Sequence, residues 1–307
     1  MSGHHTESDL WVRRLRSEPP ASVRLFCFPF AGGSASYFRP LAALLGSGIE
    51  VLAIQYPGRQ DRRGEVVVDD IQRLADQVCD AVSPWLDQPF AFFGHSMGSV
   101  VAFEVTRRLA VRHGPQPLAL FASGRRAPSV HRSELTRRKN DAGRVAELRS
   151  LAGTEAAVLD DGELVQMFLP AVRGDYRAIE TYRGPSANAV LDVPITVMVG
   201  DQDPRVTVAE AAAWRDHTTG DFTLQIFPGG HFCLTGAASD VASRIRTVLA
   251  ACVQRPPAAG GQRPACQSAG EPGSGRAVPA GLPDRSSSRT CGLNCPDQHA
   301  RTLSAPC

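Results

Sequence analysis

The chain contains 307 residues, of which 43% are hydrophobic, and its formal net charge is +2. Such a chain can bury a substantial core, while its interleaved acidic and basic residues lack the basic stripe that nucleic-acid binding usually needs. No apolar run approaches the ~20 residues that span a bilayer, and the polar segment 1–20 has no apolar leader region, so we expect a cytoplasmic protein without nucleic-acid or membrane partners.

Short apolar runs alternate with longer amphipathic stretches from residue 23 to residue 253. This alternation is typical of an α/β protein, in which helices flank a mostly parallel central sheet. Segment 1–20 precedes the first such run and is predicted to be flexible. The predicted strands are 23–28, 50–54, 90–93, 118–123, 195–199 and 223–227. The predicted helices on the sheet are 69–82 and 100–109, where apolar residues recur at helical spacing.

One region, at about 125–190, interrupts this alternation. It has no convincing strand, but segments 145–151, 163–168 and 171–182 read as helices. We therefore predict one domain over residues 21–255 that carries a helical insertion above its sheet.

The last segment, 256–307, is rich in proline, glycine, alanine, serine and arginine. Such a composition cannot bury enough apolar surface to offset chain entropy, so we predict a disordered tail. Cys291, Cys295 and His299 have spacings that could hold a metal ion, but a segment without strand or helix signals is weak support for a zinc site. We predict no metal site.

A candidate nucleophile lies in Gly94-His95-Ser96-Met97-Gly98, which follows one predicted strand and precedes a predicted helix. That context is what the G-x-S-x-G motif requires, because the sharp turn projects the serine hydroxyl above the sheet. The adjoining helix N-terminus favours developing negative charge at Ser96. The structural alternative is a glycine-bracketed turn whose serine merely caps a helix.

A serine hydroxyl needs a base to accept its proton, and that base is normally a histidine held by a carboxylate. His231 lies in a loop directly after the last predicted strand, whereas His95 adjoins Ser96 on a diverging turn. The sequence therefore favours His231, and the chain order Ser, Asp, His agrees. The alternative is a surface loop histidine.

The carboxylate is expected after strand 195–199, where Gly200-Asp201-Gln202-Asp203-Pro204 offers two candidates on one turn. We favour Asp203, because Pro204 fixes the backbone just after it. Asp201 lies closer to the strand end and could instead bond N–H groups of the turn.

A tetrahedral intermediate also needs two hydrogen-bond donors for its oxyanion. One is expected to be the N–H of Met97, directly after the nucleophile, and the other the N–H of Ala31 in the glycine-rich loop 28–35. Phe30, Gly32 and Phe232, which neighbour these groups in sequence, are predicted to bind substrate. Phosphate binding is disfavoured, because this loop has neither G-x-G-x-x-G nor a Walker lysine.

Together these residues resemble the α/β-hydrolase superfamily, and more narrowly the type II thioesterases that accompany polyketide synthases and nonribosomal peptide synthetases. The likeness covers roughly residues 24–253. It rests on segments 28–38, 56–59, 94–98, 169–170, 175–176, 200–204 and 228–232. It implies an α/β-hydrolase fold, a triad of Ser96, Asp203 and His231, oxyanion donors at Ala31 and Met97, and a lid formed by the helical insertion.

The resemblance implies a thioesterase that removes acyl groups from the phosphopantetheine arm of acyl or peptidyl carrier domains. Such chemistry proceeds through an acyl-serine and needs no cofactor. Two alternatives stay open: a stand-alone esterase acting on small oxygen esters, and a noncatalytic binding module with the same fold. A basic stretch at the start of the insertion either steers the docking of acidic carrier domains or is simply a solvated face. It contains Arg125, Arg126, Arg132, Arg137, Arg138, Lys139 and Arg144.

Overall fold

A computed structural model describes residues 7–16, 21–151, 159–185 and 189–254. Within these residues, seven strands form a single sheet in the order β1-β3-β2-β4-β5-β6-β7. The strands are β1 Val12–Arg16, β2 Val23–Phe28, β3 Ile49–Ile54, β4 Phe90–His95, β5 Leu120–Ser123, β6 Ile195–Gly200 and β7 Phe222–Phe227. β1 pairs antiparallel with β3, and every other pairing is parallel.

Helices connect the parallel strands, as right-handed crossover topology requires. The helices are α1 Glu7–Trp11, α2 Arg39–Leu45, α3 Ile71–Val82, α4 Met97–Val111, α5 Asp141–Leu151, α6 Gly162–Thr181, α7 Val208–Ala212, α8 Cys233–Gly236 and α9 Ala238–Gln254. Short 3₁₀ turns lie at Ala35–Phe38, Gln60–Arg62, Ser83–Trp85, Thr136–Arg138 and Ala213–His217. None of the helices within the described ranges is long and apolar enough to cross a membrane.

The core lies on both faces of the sheet, because neighbouring residues of a strand point to opposite faces. On β2, Phe26 and Phe28 join the cluster that includes α3 and α4, while Leu25 and Cys27 join the cluster that includes α2 and α9. All four side chains are fully buried. Continuous apolar runs such as β2 are therefore what a sheet covered on both faces needs.

The six predicted strands are all present, with end points that differ by at most two residues. The predicted helical insertion is also present, since α5 and α6 lie between β5 and β6. The predictions for segments 163–168 and 171–182 are wrong in one respect, because both segments belong to the single helix α6. Pro170 lies inside that helix, although a proline there removes one backbone hydrogen bond and usually breaks a helix.

The prediction that segment 1–20 is flexible is wrong for residues 7–16, which form α1 and the edge strand β1. Trp11 and Val12 are buried in the core, and the Arg62 guanidinium stacks on the Trp11 ring at 4.3 Å. Arg14 of β1 pairs with Glu50 at 2.7 Å. The arginines of this strand interrupt the alternation of apolar residues by which a strand is predicted, and an edge strand tolerates such charges. The predicted tail, 256–307, lies outside the described residues.

Candidate active site

Ser96 occupies the sharp turn between β4 and α4. Its backbone has φ +53° and ψ −116°, a left-handed φ that is rare for residues other than glycine. The Ser96 N–H donates to the Ser123 carbonyl at 2.7 Å. A strained backbone at a serine held between a strand and a helix is the geometry that exposes a nucleophile.

Two glycines make this turn possible. A Cβ on Gly98 would lie 2.0 Å from the Phe28 carbonyl oxygen, and one on Gly94 would lie 2.4 Å from the Gly98 carbonyl oxygen. Both distances are far below van der Waals contact. Only glycine therefore allows α4 to start this close to β2 and β4.

His231 lies beside Ser96, in the loop between β7 and α8. Its Nε2 is 3.0 Å from Ser96 Oγ, and its Nδ1 is 2.9 Å from Asp203 Oδ2. An ionised carboxylate only accepts hydrogen bonds, so Nδ1 carries the proton and Nε2 is left to accept one from Ser96. The three side chains thus form one hydrogen-bond chain in the order that base activation of a serine requires.

The structure places the two aspartates of the 200–204 turn differently. Asp203 has a fully buried side chain and also accepts the Arg205 N–H at 2.8 Å. Asp201 is exposed and accepts the Gly229 N–H at 2.8 Å. Asp203 therefore contacts the base, whereas Asp201 holds the loop that carries His231.

Replacing Asp203 with asparagine should lower kcat by on the order of 10⁴-fold, because an amide no longer holds His231 in the tautomer that accepts the serine proton. The matched substitution Asp201→Asn, two residues away on the same turn, should cost less than about tenfold, since an amide oxygen can still accept the Gly229 N–H. Steady-state kinetics of the two variants measures the difference. Equal losses would contradict the assignment of Asp203.

The predicted oxyanion donors lie on two adjoining segments. Ala31 lines the small cavity around Ser96 and His231, and Met97 is the first residue of α4. Among the described residues, neither N–H donates a hydrogen bond to the protein. Both donors are thus available to a ligand, and the helix N-terminus adds positive potential at Met97.

The loop that carries Ala31 is held by a buried ion pair that the sequence analysis did not identify. Asp175 of α6 accepts two hydrogen bonds from Arg59, at 2.7 and 3.0 Å, and one from the Gly32 N–H at 2.7 Å. Arg59 also donates to the Gly33 carbonyl at 3.1 Å. Both side chains are almost completely buried, with exposures of 4% and 0%. The pair therefore ties the helical insertion to the loop that carries Ala31, the predicted oxyanion loop.

The predicted substrate-binding residues surround this centre. Phe30 and Phe232 line the same small cavity as Ser96, with ring centroids 4.8 Å apart. Gly32 lines an adjoining larger cavity of about 550 Å³, which we call the apolar cavity. The apolar cavity shares Phe30, Ala31 and Leu148 with the small one, whose volume is only about 30 Å³. An acyl chain leaving the centre can thus enter an apolar space.

His95, which precedes the nucleophile, is fully buried. Its Nδ1 lies 3.0 Å from Ser123 Oγ, and its ring centroid is 5.3 Å from that of His231. Burial, followed by the electrostatic effect of His231, holds the pKa of His95 well below 6.5. His95 is therefore neutral in the folded protein and does not replace His231 as the partner of Ser96.

We expect the free energy of unfolding to fall as the pH drops below about 6.5, because the unfolded chain then binds a proton at His95 that the folded chain does not. One such histidine gives a slope of up to about 1.4 kcal/mol per pH unit. Chemical denaturation between about pH 7 and about pH 5 measures it. His95→Asn should show a shallower slope, with His217, whose pKa burial also lowers, still contributing. Equal slopes would contradict the role of His95.

Within the described ranges, no group of three histidine, cysteine, aspartate or glutamate side chains is placed to hold a metal ion. Cys291, Cys295 and His299 lie outside those ranges. The functional groups that the described residues bring together are a serine, a histidine, a carboxylate and backbone N–H groups. That set supports acyl transfer through a covalent serine intermediate.

Comparison with known proteins identifies thioesterases as relatives of this chain. A family model described as a thioesterase domain matches residues 23–249. The probable cadicidin biosynthesis thioesterase of Streptomyces griseus is 49% identical over 239 residues, which cover 78% of this chain and 66% of that protein. Thioesterase PikA5 of Streptomyces venezuelae is 45% identical over 243 residues, which cover 78% of this chain and 86% of that protein.

A solved structure shows the same fold. BorB, a type II thioesterase from the borrelidin biosynthetic cluster, is 46% identical and superposes with a TM-score of 0.74, covering 80% of this chain and 100% of that one. This likeness and the mostly parallel sheet confirm the predicted α/β-hydrolase fold.

Proposed function

The chain belongs to the thioesterase family, as a type II thioesterase of polyketide or nonribosomal peptide biosynthesis, and from that premise we propose that Ser96, His231 and Asp203 are its catalytic triad. The observation that carries this proposal is the hydrogen-bond chain from Ser96 Oγ through His231 to Asp203. Its neighbours, the N–H groups of Ala31 and Met97, have no acceptor among the described residues. Nucleophile, base, orienting acid and oxyanion donors thus meet in one place.

In the first half-reaction, Ser96 Oγ attacks the thioester carbonyl while His231 Nε2 takes the serine proton. The N–H groups of Ala31 and Met97 hold the oxyanion of the tetrahedral intermediate. As the intermediate collapses, the carbon–sulfur bond breaks and the imidazolium of His231 returns its proton to the departing thiolate. The products are a free thiol and an acyl ester on Ser96.

In the second half-reaction, water attacks the acyl ester and gives its proton to His231. The same N–H groups hold the second oxyanion, and the carbon–oxygen bond to Ser96 then breaks. His231 returns the proton to the serine oxygen, which releases a carboxylic acid and restores the enzyme. No step requires a cofactor.

The proposed substrates are acyl groups on the phosphopantetheine arm of acyl or peptidyl carrier domains, which the enzyme would clear from an assembly line in the cytoplasm. The cavities support the acyl part of this choice, because the cavity around Ser96, of about 30 Å³, lies beside an apolar cavity of about 550 Å³. An acyl chain bound to Ser96 would extend from the first cavity into the second. The helical insertion would act as the lid.

Much of the basic stretch that could steer carrier domains is already neutralised by partners. Ion pairs join Arg126 to Glu134, Arg132 to Glu210, Lys139 to Glu147 and Arg144 to Asp141. For these four residues a solvated or paired face is the better interpretation. Arg125, Arg137 and Arg138 differ, because among the described residues none of them has a carboxylate as close to its guanidinium.

The decisive experiment compares one acyl group on three leaving groups: a carrier protein, coenzyme A and nitrophenol. We expect kcat/KM to be highest for the carrier-bound thioester, and Ser96→Ala to abolish all three activities. A higher kcat/KM for the nitrophenyl ester would contradict the thioesterase assignment and favour a stand-alone esterase. A wild-type protein whose Ser96 is not labelled by a fluorophosphonate would instead indicate a noncatalytic module.

A further inference from the structure

A second cavity beside the active site has a strongly basic lining. This basic cavity has a volume of about 420 Å³, and six arginines and two glutamates line it. The arginines are Arg125, Arg126, Arg132, Arg137, Arg138 and Arg183, and the glutamates are Glu134 and Glu180. Positive charge therefore exceeds negative charge in a confined space, which concentrates the potential that attracts an anion.

Three of the arginines at this cavity, Arg125, Arg137 and Arg138, retain unused hydrogen-bonding capacity. Arg125 is only 12% exposed, and its one carboxylate neighbour, Glu134, lies 3.9 Å away. The buried Nε of Arg137 has no acceptor. The Glu180 carboxylate, which accepts the backbone N–H of Arg137 at 2.8 Å, lies 3.8 Å from that Nε. In the described part of the chain, the exposed Arg138 side chain forms no ion pair. Because Arg125 and the Nε of Arg137 are shielded from water and lack a close acceptor, an anionic ligand would lower the free energy of this region.

The surroundings of Arg125 disfavour the charged form of its side chain. Burial, and then the nearby Arg126, lower the pKa of Arg125 to about 10. A bound anion would oppose both effects. Because this arginine has only a distant carboxylate, its planar guanidinium has donors to spare for an oxyanion such as a phosphate group.

The basic cavity adjoins the small cavity around Ser96 and His231. Arg125, Glu134 and Ile179 line both the basic cavity and the small cavity around Ser96. Arg125 follows Gly124, where a Cβ would lie only 3.4 Å from His231 Cε1. The rim of the cavity is exposed at Arg138 and Arg183, whereas Arg126 is buried with 3% exposure. The basic cavity thus opens at the surface and shares one wall with the small cavity around Ser96 and His231.

A thioester has an acyl side and a thiol side, and two cavities of opposite character each share wall residues with the small cavity around Ser96. The apolar cavity, past Phe30 and Ala31, suits an acyl chain, and the basic cavity, past Arg125, suits an anionic leaving group. We propose that the basic cavity binds the phosphodiester of the phosphopantetheine arm, with Arg125, Arg137 and Arg138 as its ligands. This inference rests on the proposed thioesterase function.

The test uses two synthetic thioesters with the same acyl group, acyl-pantetheine and acyl-4′-phosphopantetheine, which differ only in the phosphate. For the wild-type enzyme we expect kcat/KM to be roughly tenfold or more higher for the phosphorylated compound, the effect of a few charge-assisted hydrogen bonds. The preference should decline as the salt concentration rises.

Arg137→Gln/Arg138→Gln should bring the ratio of the two kcat/KM values close to unity. Arg138→Gln alone should lower it in part, and this exposed, unpaired side chain can be replaced without disturbing the fold. Arg39→Gln is the matched control, because Arg39 is an exposed arginine on α2 that lines none of the three cavities. The control should keep the wild-type ratio.

A wild-type ratio near unity would overturn the inference, and so would a ratio that persists in the double variant. The variants could instead lower kcat/KM for carrier-bound substrate and leave the ratio for the two small thioesters unchanged. In that case the arginines bind the acidic carrier surface, and the phosphate site is refuted. Hydrolysis of acyl-pantetheine without phosphate preference leaves the thioesterase function standing. Failure to hydrolyse either thioester would overturn the function as well.

Discussion

Ser96→Ala should lower kcat by on the order of 10⁴-fold or more and leave the fold intact. The hydroxyl removed is the atom that His231 Nε2 contacts at 3.0 Å, and no other nucleophile replaces it in that position. His231→Ala should cause a comparable loss, and the double variant should lose little more, because the two residues act as one unit. Steady-state kinetics with an acyl thioester measures these losses.

Ser99→Ala is a matched control for this prediction, because it removes a hydroxyl only three residues away, in the first turn of α4. Ser99 Oγ donates toward the carbonyls of Gly94 and Ser123, at 2.9 and 3.0 Å, and has no contact with His231. Its loss should lower the free energy of unfolding by about 1–3 kcal/mol while a fluorophosphonate still labels Ser96. An active Ser96→Ala enzyme, or an inactive but folded Ser99→Ala enzyme, would contradict the assignment.

Asp175→Ala should lower the free energy of unfolding by about 3–5 kcal/mol, because it leaves the Arg59 charge buried without its partner. It should also lower kcat by about 10²-fold, since the Gly32 N–H loses its acceptor and the neighbouring Ala31 N–H moves from the oxyanion position. Chemical denaturation and kinetics measure the two effects. Arg149 and Asp160, an exposed pair with side-chain exposures of 49% and 62%, provide the control, and Asp160→Ala should cost under about 1 kcal/mol.

A double variant separates positioning from stability. Arg59→Met/Asp175→Leu removes both buried charges, so its stability should recover relative to either single change. Its kcat should stay low, because Gly32 still has no carboxylate to hold it. Recovery of kcat together with stability would show that the pair serves the fold alone and does not position the oxyanion loop.

Six of the seven described strands, and Ser96 and His231 of the candidate triad, were predictable because they depend on local sequence. A continuous apolar run such as 23–28 indicates a strand buried on both faces, and a serine between two glycines after such a run indicates a tight strand-to-helix turn. From the sequence alone, Asp203 could be favoured over Asp201 but not assigned. The choice depends on which carboxylate faces His231, and that follows from how β6 and β7 lie side by side.

The features that the sequence analysis missed depend on tertiary contacts. Arg59 and Asp175 belong to segments that carry the family resemblance, but they are 116 positions apart, and nothing local indicates that they pair. β1 escaped prediction because Arg13, Arg14 and Arg16 interrupt its apolar pattern, and its strand state follows from pairing with β3. The basic cavity likewise exists only once residues 125–138 fold against the end of α6.

The covalent step can be observed directly by quenching the wild-type enzyme with acid during turnover of an acyl thioester and mapping its peptides by mass spectrometry. We predict that the mass of the acyl group appears on the peptide that contains Ser96, and that it disappears in Ser96→Ala. An acyl group found on another residue, or steady hydrolysis by the Ser96→Ala enzyme, would contradict a serine-bound intermediate.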